Sequence, residues 1–356
     1  MIYFSKYAII YVEKITKQKD KIMKILLDEN KGYLKANMHC HTTCSDGRLT
    51  PEQIKEEYQK RGYSVVAFTD HEHVIDQSHL TDESFLALTG CEVAIKEIPT
   101  DSTMKNQQMK VCHLSFFALN PKNPITPCYN SVADHFVTES AKGRFTPDGE
   151  YKRSYTHKGI SDMIKRAHDM GYLVSYNHPS WSLENSFDYL GYAGLDFVEI
   201  YNTGCAKEGH VDDERVFEDM LLDGRRIFCI AGDDNHNKTP IGEPESDSCG
   251  GYIMINEEKI DYSAVMKALW QGRFYVSTGA KILSITKDGD TVTVKTRGAE
   301  SIHMRTGGRR SKGVFAKAGE PLTEATFTLD PKDRYFRFKV KDRDGGIAYS
   351  QAYPID

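Results

Sequence analysis

Short apolar runs alternate with stretches of helical spacing through the first two thirds of the chain. Candidate strands fall at 35–39, 64–69 (SVVAFT), 86–92 (LALTGCE), 111–119, 173–177 (LVSYN), 197–201 (FVEIY) and 227–231 (IFCIA). Three helices carry good end signals. Thr50 can cap a helix opened by Pro51, with Gln53 three residues after the cap and Gly62 as its stop. A second, over 159–170, places Ile160, Met163, Ile164 and Ala167 on one face and stops at Gly171. A third, over 208–223, buries Val216, Phe217, Met220 and Leu221 before Gly224. Strand–helix alternation predicts an α/β fold with a parallel or barrel-like sheet and helices outside. Seven strands make it an incomplete version of the eight-stranded barrel.

The stretch 120–157 is long, polar and Pro-containing, and reads as an insertion placed to cover the site. From about 281 the period changes. ILSITKDGDTVTVKTRG and the segment around RYFRFKVKDRDGG alternate apolar and polar residues about Asp-Gly and Gly-Gly turns. That pattern predicts a small half-buried antiparallel β domain over 281–356. Residues 1–32 read as an N-terminal extension outside the catalytic unit, which spans 33–280.

Composition narrows the possibilities. The 356 residues suffice for one large α/β domain and a small second one. A net charge of −5 argues against a stable nucleic-acid complex, which calls for a clustered basic surface. No apolar run approaches the roughly 20 residues that span a bilayer, so no membrane partner is expected. The eight cysteines form no C-x-x-C pair and several sit inside apolar runs, the pattern of reduced thiols in a cytoplasmic protein. Cys40 and Cys44 have no second pair to complete a zinc tetrahedron, and read as small fillers.

The chemistry lies where the strands end. NMHCHTTCSDG places His39 and His41 two apart, on the same side of an extended chain, with Asp46 in the following turn. AFTDHEHV ends an apolar strand in Asp70, His71, Glu72 and His73. Charged groups there cost free energy unless paired or metal-bound. GCEV places Glu92 where a carboxylate could bridge two cations, NHPSW brings His178, and AGDDNH brings Asp233, Asp234 and His236. In a barrel such ends converge on one mouth, so the pattern points to a cluster of divalent ions. His113 stands near the start of its strand. It reaches the same mouth only if 93–110 is a hairpin excursion that returns the chain beside Glu92.

With those motifs in view, the chain resembles PHP-domain (polymerase and histidinol phosphatase) proteins, nearest to their small phosphoesterases. The matching pieces are HCHTTCSDGRLTPEQ, FTDHEH, GCEV, NHPSW, VEIYN and GDDNH, in order, with GRFYVSTG closing the unit. The resemblance implies a distorted seven-stranded (β/α) barrel holding two or three divalent ions, with Mn, Fe and Zn all suited to imidazole and carboxylate ligands. It implies His39, His41, Glu92 and Asp234 around the first ion and His178 with His113 around the second. Asp46, His71 and His236 form the third set, Asp46 standing where many relatives have histidine. The expected reaction is hydrolysis of a small phosphomonoester or phosphodiester, nucleotides included, by water deprotonated between the ions. Asp70 and His236 are candidate proton shuttles; Arg48, Asn202 and Lys207 are candidates to hold the substrate. The alternative is a C–N or carboxyl-ester hydrolase on the same metals.

Overall fold

The computed structural model describes residues 23–99, 101, 103–210, 213–309 and 311–355. After β1 (Lys24–Leu27), the strands of the first unit are β2 (Leu34–Asn37), β3 (Val65–Phe68), β4 (Leu86–Lys96), β5 (Val111–Ala118), β8 (Tyr172–Tyr176), β9 (Phe197–Asn202) and β10 (Phe228–Gly232). The short strands β6 (Ile125–Thr126) and β7 (Thr146–Pro147) pair inside the insertion. Seven apolar runs of the sequence thus become strands, because each is buried on both faces. Helix α1 (Pro51–Gln59) starts at the expected capping box, with Thr50 and Gln53 bonding reciprocally, and buries Ile54 and Tyr58. Helix α2 (His157–Asp169), capped by Thr156, buries Ile160, Met163, Ile164 and Ala167. The three larger of these side chains contribute about 1.5–3 kcal/mol each.

Two expectations are corrected. Pairing is parallel for β2–β3, β3–β4, β8–β9 and β9–β10, but β5 runs antiparallel to both β4 and β8. The hairpin between β4 and β5 reverses the chain, so strand–helix alternation fails there. The expected helix over 208–223 is also shorter than expected, because it begins late. After α3 (Ser186–Tyr189), α4 covers Thr203–Lys207, Gly209 takes φ of 90°, and α5 begins only at Glu214 and runs to Leu222. A left-handed glycine ends a helix readily because it has no Cβ to clash.

The sheet continues through β11 (Tyr252–Ile255), which pairs with β2, and, beyond α6 (Tyr262–Trp270), β12 (Phe274–Ser277). The last part is antiparallel: β13 (Ile282–Asp288), β14 (Thr291–Thr306), β15 (Ser311–Phe315), β16 (Leu322–Thr328), β17 (Tyr335–Asp342), β18 (Ile347–Ser350) and β19 (Tyr353–Pro354). It has its own apolar core, including Ile285, Val292, Phe327 and Phe338, apart from the larger core around β3–β10. Hydrogen bonding nevertheless crosses residue 281, since β12 pairs with β18. Of the expected extension 1–32, residues 1–22 lie outside the described residues, whereas β1 pairs with β13 and Leu27 joins the second core. The molecule is therefore a mixed α/β protein built on one large sheet. Among the described residues no helix is long and apolar enough to cross a membrane.

Candidate metal centre

The chain just beyond β2 and β10 is sewn together. Cys40 and Asn235 form a parallel bridge, His41 N donates to Asn235 O at 3.2 Å, and Asp234 N donates to His39 O at 2.9 Å. Asn37 Oδ1 accepts from both His39 N (3.2 Å) and Asp233 N (2.9 Å), pinning the two motifs to each other. Tyr58 on α1 donates to Asp233 Oδ2 at 2.8 Å and Asn235 Oδ1 at 3.0 Å. Gly232 permits this contact: a Cβ there would lie 2.4 Å from His39 Cβ. His178 and Asp234 both hold left-handed backbone, with φ of 27° and 53°. Non-glycine residues keep such angles only where their surroundings over-determine them.

These constraints bring four overlapping groups of ligand atoms together, the atoms of each lying within 4.8 Å of one another. In the first, His39 Nε2 and His41 Nε2 face each other at 3.3 Å, and both face Asp234 Oδ1, at 3.3 and 2.9 Å. Glu92 completes it, with Oε1 3.3 Å from His39 Nε2 and Oε2 3.5 Å from His41 Nε2. A tetrahedral ion with bonds of about 2.1 Å separates its ligand atoms by about 3.4 Å, which matches this set. In the second, Glu92 Oε1 lies 3.2 Å from both His113 Nδ1 and His178 Nε2. The hairpin of β4 and β5 delivers His113 by pairing it with Ala94. The third holds His41, Asp46, His71 and His236, with Asp46 Oδ1 3.3 Å from His236 Nε2 and 3.7 Å from His71 Nε2. Glu92 Oε2 is buried without a hydrogen bond, yet lies 3.3 Å from His71 Nδ1.

The fourth group, His39, His178 and Glu199, is better explained as outer support. Glu199 Oε1 contacts His39 Nδ1 at 3.1 Å, which leaves Nε2 for the cluster. Ser182 Oγ does the same for His178 Nδ1 at 3.3 Å, and the carbonyl of Asp234 for His236 Nδ1 at 3.0 Å. Each of these contacts engages Nδ1 and leaves Nε2 of His39, His178 and His236 facing the cluster.

Electrostatics point the same way. Burial opposes the charged form of His39, yet Asp234, Glu92 and Glu199 lift its pKa well above the usual value. Burial likewise opposes charge on His178 and His236, but Glu92 raises the first to about 8 and Asp46 the second to about 9. His41, buried and beside His71 and His236, is pushed down to about 3. Burial would raise Glu92 and Asp234, but neighbouring imidazoles hold both well below the usual carboxylate range. Protons on imidazole thus balance the buried carboxylates, a role divalent ions fill while releasing those protons.

The other expected site residues lie elsewhere. Asp70 is buried and its carboxylate accepts from Thr42 N (2.7 Å), Thr42 Oγ1 and Ser45 Oγ (2.7 Å), so it secures the 42–45 turn instead of facing the cluster. Asn202 is buried, donating Nδ2 to Glu199 Oε2 at 3.0 Å and Asp234 Oδ2 at 3.2 Å while Oδ1 caps α4. It is a brace between carboxylates, not a free amide for substrate. Lys207 Nζ donates to Pro244 O at 2.6 Å. Arg48 is exposed, and its backbone N donates to His236 O at 2.9 Å. All eight cysteines are free, and none enters a ligand group among the described residues. The insertion 120–157 does reach the site: the Phe136 ring stands 4.7 Å from that of His71, and Thr138 Oγ1 donates to Thr43 O at 2.7 Å. Trp181 stands 5.1 Å from His178 and 5.5 Å from His113. A cleft of about 770 Å³ opens beside Asp46, His71 and His113. Sequence reasoning did not single out Glu199; its signal was a carboxylate within an apolar strand, FVEIYN.

No protein-family model and no curated protein matches the chain. Solved structures do. One is a two-domain protein from Bacteroides vulgatus ATCC 8482 described as containing a PHP-like metal-dependent phosphoesterase; it is 14% identical, covering 92% of this chain and 96% of its own, with a TM-score of 0.43. A protein of Bifidobacterium adolescentis ATCC 15703 assigned as a metal-dependent phosphoesterase is 19% identical over 59% of this chain and 91% of its own, with a TM-score of 0.34. An amidohydrolase from Chromobacterium violaceum, with bound sulfate and no metal, is 15% identical over 67% of this chain and 96% of its own, with a TM-score of 0.38. At such low TM-scores the reading of the site rests on its own residues.

Proposed function

We propose that this chain is a PHP-type metal-dependent phosphoesterase that hydrolyses a small phosphomonoester or phosphodiester. The strands β2–β5 and β8–β10 would form the distorted seven-stranded barrel over 33–280, with 281–356 packed against it as a small β domain. The observation that carries the reading is the position of Glu92. Its Oε1 faces His39, His113 and His178, and its Oε2 faces His41 and His71. A carboxylate whose two oxygens between them meet imidazoles of all three ligand sets is suited to be a shared ligand of neighbouring ions. His39, His41, Glu92 and Asp234 would hold one ion, and Glu92, His113 and His178 a second. Asp46, His71 and His236 would hold a third. Mn²⁺, Fe²⁺ and Zn²⁺ all suit such ligands.

Divalent ions bound there supply Lewis-acid polarisation of phosphoryl oxygens and lower the pKa of water toward neutrality. The chain's own groups do the rest. Glu199, Ser182 and the Asp234 carbonyl fix imidazole tautomers, and Phe136 and Trp181 flank the reacting centre against water. With only two ions bound, His236, its Nε2 3.3 Å from Asp46 Oδ1, would stand ready to pass a proton to the leaving oxygen. Arg48 is the exposed cation nearest in the chain to these groups and would receive the phosphate. Fold and metals alone serve P–O or C–N cleavage equally, so the choice of phosphate rests on the sequence motifs. The test is a panel of phosphate mono- and diesters, carboxyl esters and amides, assayed with Mn²⁺ added. Phosphate release, lost together with bound metal in Asp234→Ala, is expected. Turnover confined to amides or carboxyl esters would overturn the phosphoesterase reading.

A further inference from the structure

The cleft beside the metal centre has a chemistry of its own. Phe136, packed on His71, and Trp181, packed on His113 and His178, line it beside the ligand groups. Its walls also carry Ile95 and Val111 from the β4–β5 hairpin, Leu183, and Val132 from the insertion. Val132 and Leu183 are 82% and 47% exposed, although a surface loop gains nothing by presenting large aliphatic groups to water.

Several polar side chains that line the cleft are already engaged, and His135 and His210 line it as well. Arg153 donates Nε and Nη2 to Cys128 O, at 3.1 and 3.0 Å, and Nη1 to Ala94 O at 3.0 Å, with Glu72 2.6 Å away. Glu72 Oε1 also accepts from Ala94 N at 3.0 Å. Asn130 donates to Tyr151 O at 3.1 Å and accepts from Val132 N at 3.0 Å. These groups staple hairpin, insertion and strand end to one another and have little left for a ligand. Lys96, Asn106 and Gln107, by contrast, belong to the exposed end of the hairpin. A sugar or polyol seated against Ile95, Val111 and Val132 would therefore bury hydroxyls with few partners, each a net loss.

Resting on the phosphoesterase reading, we infer that this cleft is a leaving-group subsite for an apolar alcohol, selecting esters whose alkyl or aryl part passes between Phe136 and Trp181 onto Ile95, Val111 and Val132. Hydrolysis there breaks the ester P–O bond, the water oxygen forms the new one, and the released apolar alcohol takes up the proton.

The experiment uses the full chain loaded with Mn²⁺ and the non-hydrolysable series from methyl- to octylphosphonate, with affinity measured by titration calorimetry. Affinity should rise about threefold to fourfold per methylene, the fold-change that burial of one methylene gives, until the cleft is full. Val132→Asp should cut the octyl-to-methyl affinity ratio at least tenfold, while Phe315→Ser, on the distant β15, should leave that ratio alone. A flat series, an unchanged ratio in Val132→Asp, or tighter binding of glycerol phosphate or a nucleoside monophosphate than of octylphosphonate would overturn the subsite. The matching alkyl phosphate esters are assayed in parallel. A rising phosphonate series with no ester hydrolysed would keep the subsite and sink the phosphoesterase reading. Hydrolysed ethyl phosphate with a flat series would do the reverse.

Discussion

Glu199→Gln is the most informative single change, because it preserves shape and alters only hydrogen-bond polarity. Glu199 accepts three contacts: from His39 Nδ1 at 3.1 Å, from His178 N at 3.2 Å and from Asn202 Nδ2 at 3.0 Å. A glutamine has one acceptor oxygen and one donor NH₂. If its oxygen faces His39, the NH₂ meets the N–H groups of His178 and Asn202. If it is flipped, His39 must move its proton to Nε2 and loses the lone pair aimed at Asp234 and Glu92. Either way at least one hydrogen bond to a charged group is lost, about 1.5–3 kcal/mol, or roughly 10- to 150-fold in metal affinity. Changes at groups that support metal ligands have effects of this size. The assay is Mn²⁺ titration of chelator-stripped, dialysed protein, with turnover followed as a function of free metal. The expected result is a weaker metal constant with kcat recovering at saturating metal. Wild-type metal affinity in the variant would refute the claim that Glu199 orients His39.

Gly232→Ala puts a Cβ 2.4 Å from His39 Cβ and 2.8 Å from its backbone N. It should cost about 1–3 kcal/mol and lower metal occupancy, both read from melts with and without Mn²⁺. Arg337 is buried against Glu218 and Glu214, at 2.5 and 2.9 Å. Arg337→Met should destabilise by about 3–5 kcal/mol because it leaves buried Glu218 without its close cation, while Glu214 keeps Lys339; a urea midpoint equal to wild type would contradict that. Glu184 is raised by burial to about 6 from the usual 4.5, despite hydrogen bonds from Tyr192, Tyr176 and Tyr155. The folded state therefore binds its proton more tightly than the unfolded state, and this stability is present below about pH 4.5 and lost as pH rises through about 6. Metal-free wild type should lose about 2 kcal/mol relative to Glu184→Gln across that window; a pH-independent difference would argue against the assignment.

The strands were legible because each is a short apolar run, and α1 because Thr50, Pro51 and Gln53 carry its start in the local sequence. The direction of β5 was not legible, since an alternating or continuous apolar run reads the same in both senses; only the hairpin joining Lys96 to Val111 decides it. The candidate metal ligands stood out as histidines and acids at strand ends. Asp70 carried the same signal, but its partners, Thr42 and Ser45, lie 28 and 25 residues away and appear only in three dimensions. Asn202 and Lys207 likewise looked available because their partners, Glu199 with Asp234 and Pro244, are supplied by other segments. The late start of α5 was not legible because Gly209, inside the expected range, is left-handed, which a helical apolar spacing does not reveal.

The central claim is that Glu92 joins neighbouring divalent ions. Anomalous diffraction from crystals of the Mn²⁺-loaded protein, collected above and below the manganese edge, tests it directly. The account predicts at least two manganese peaks, one beside each oxygen of Glu92, with His39, His41 and Asp234 on one ion and His113 and His178 on the other. A single peak away from Glu92, or a fully loaded crystal in which Glu92 points away from every ion, would contradict it.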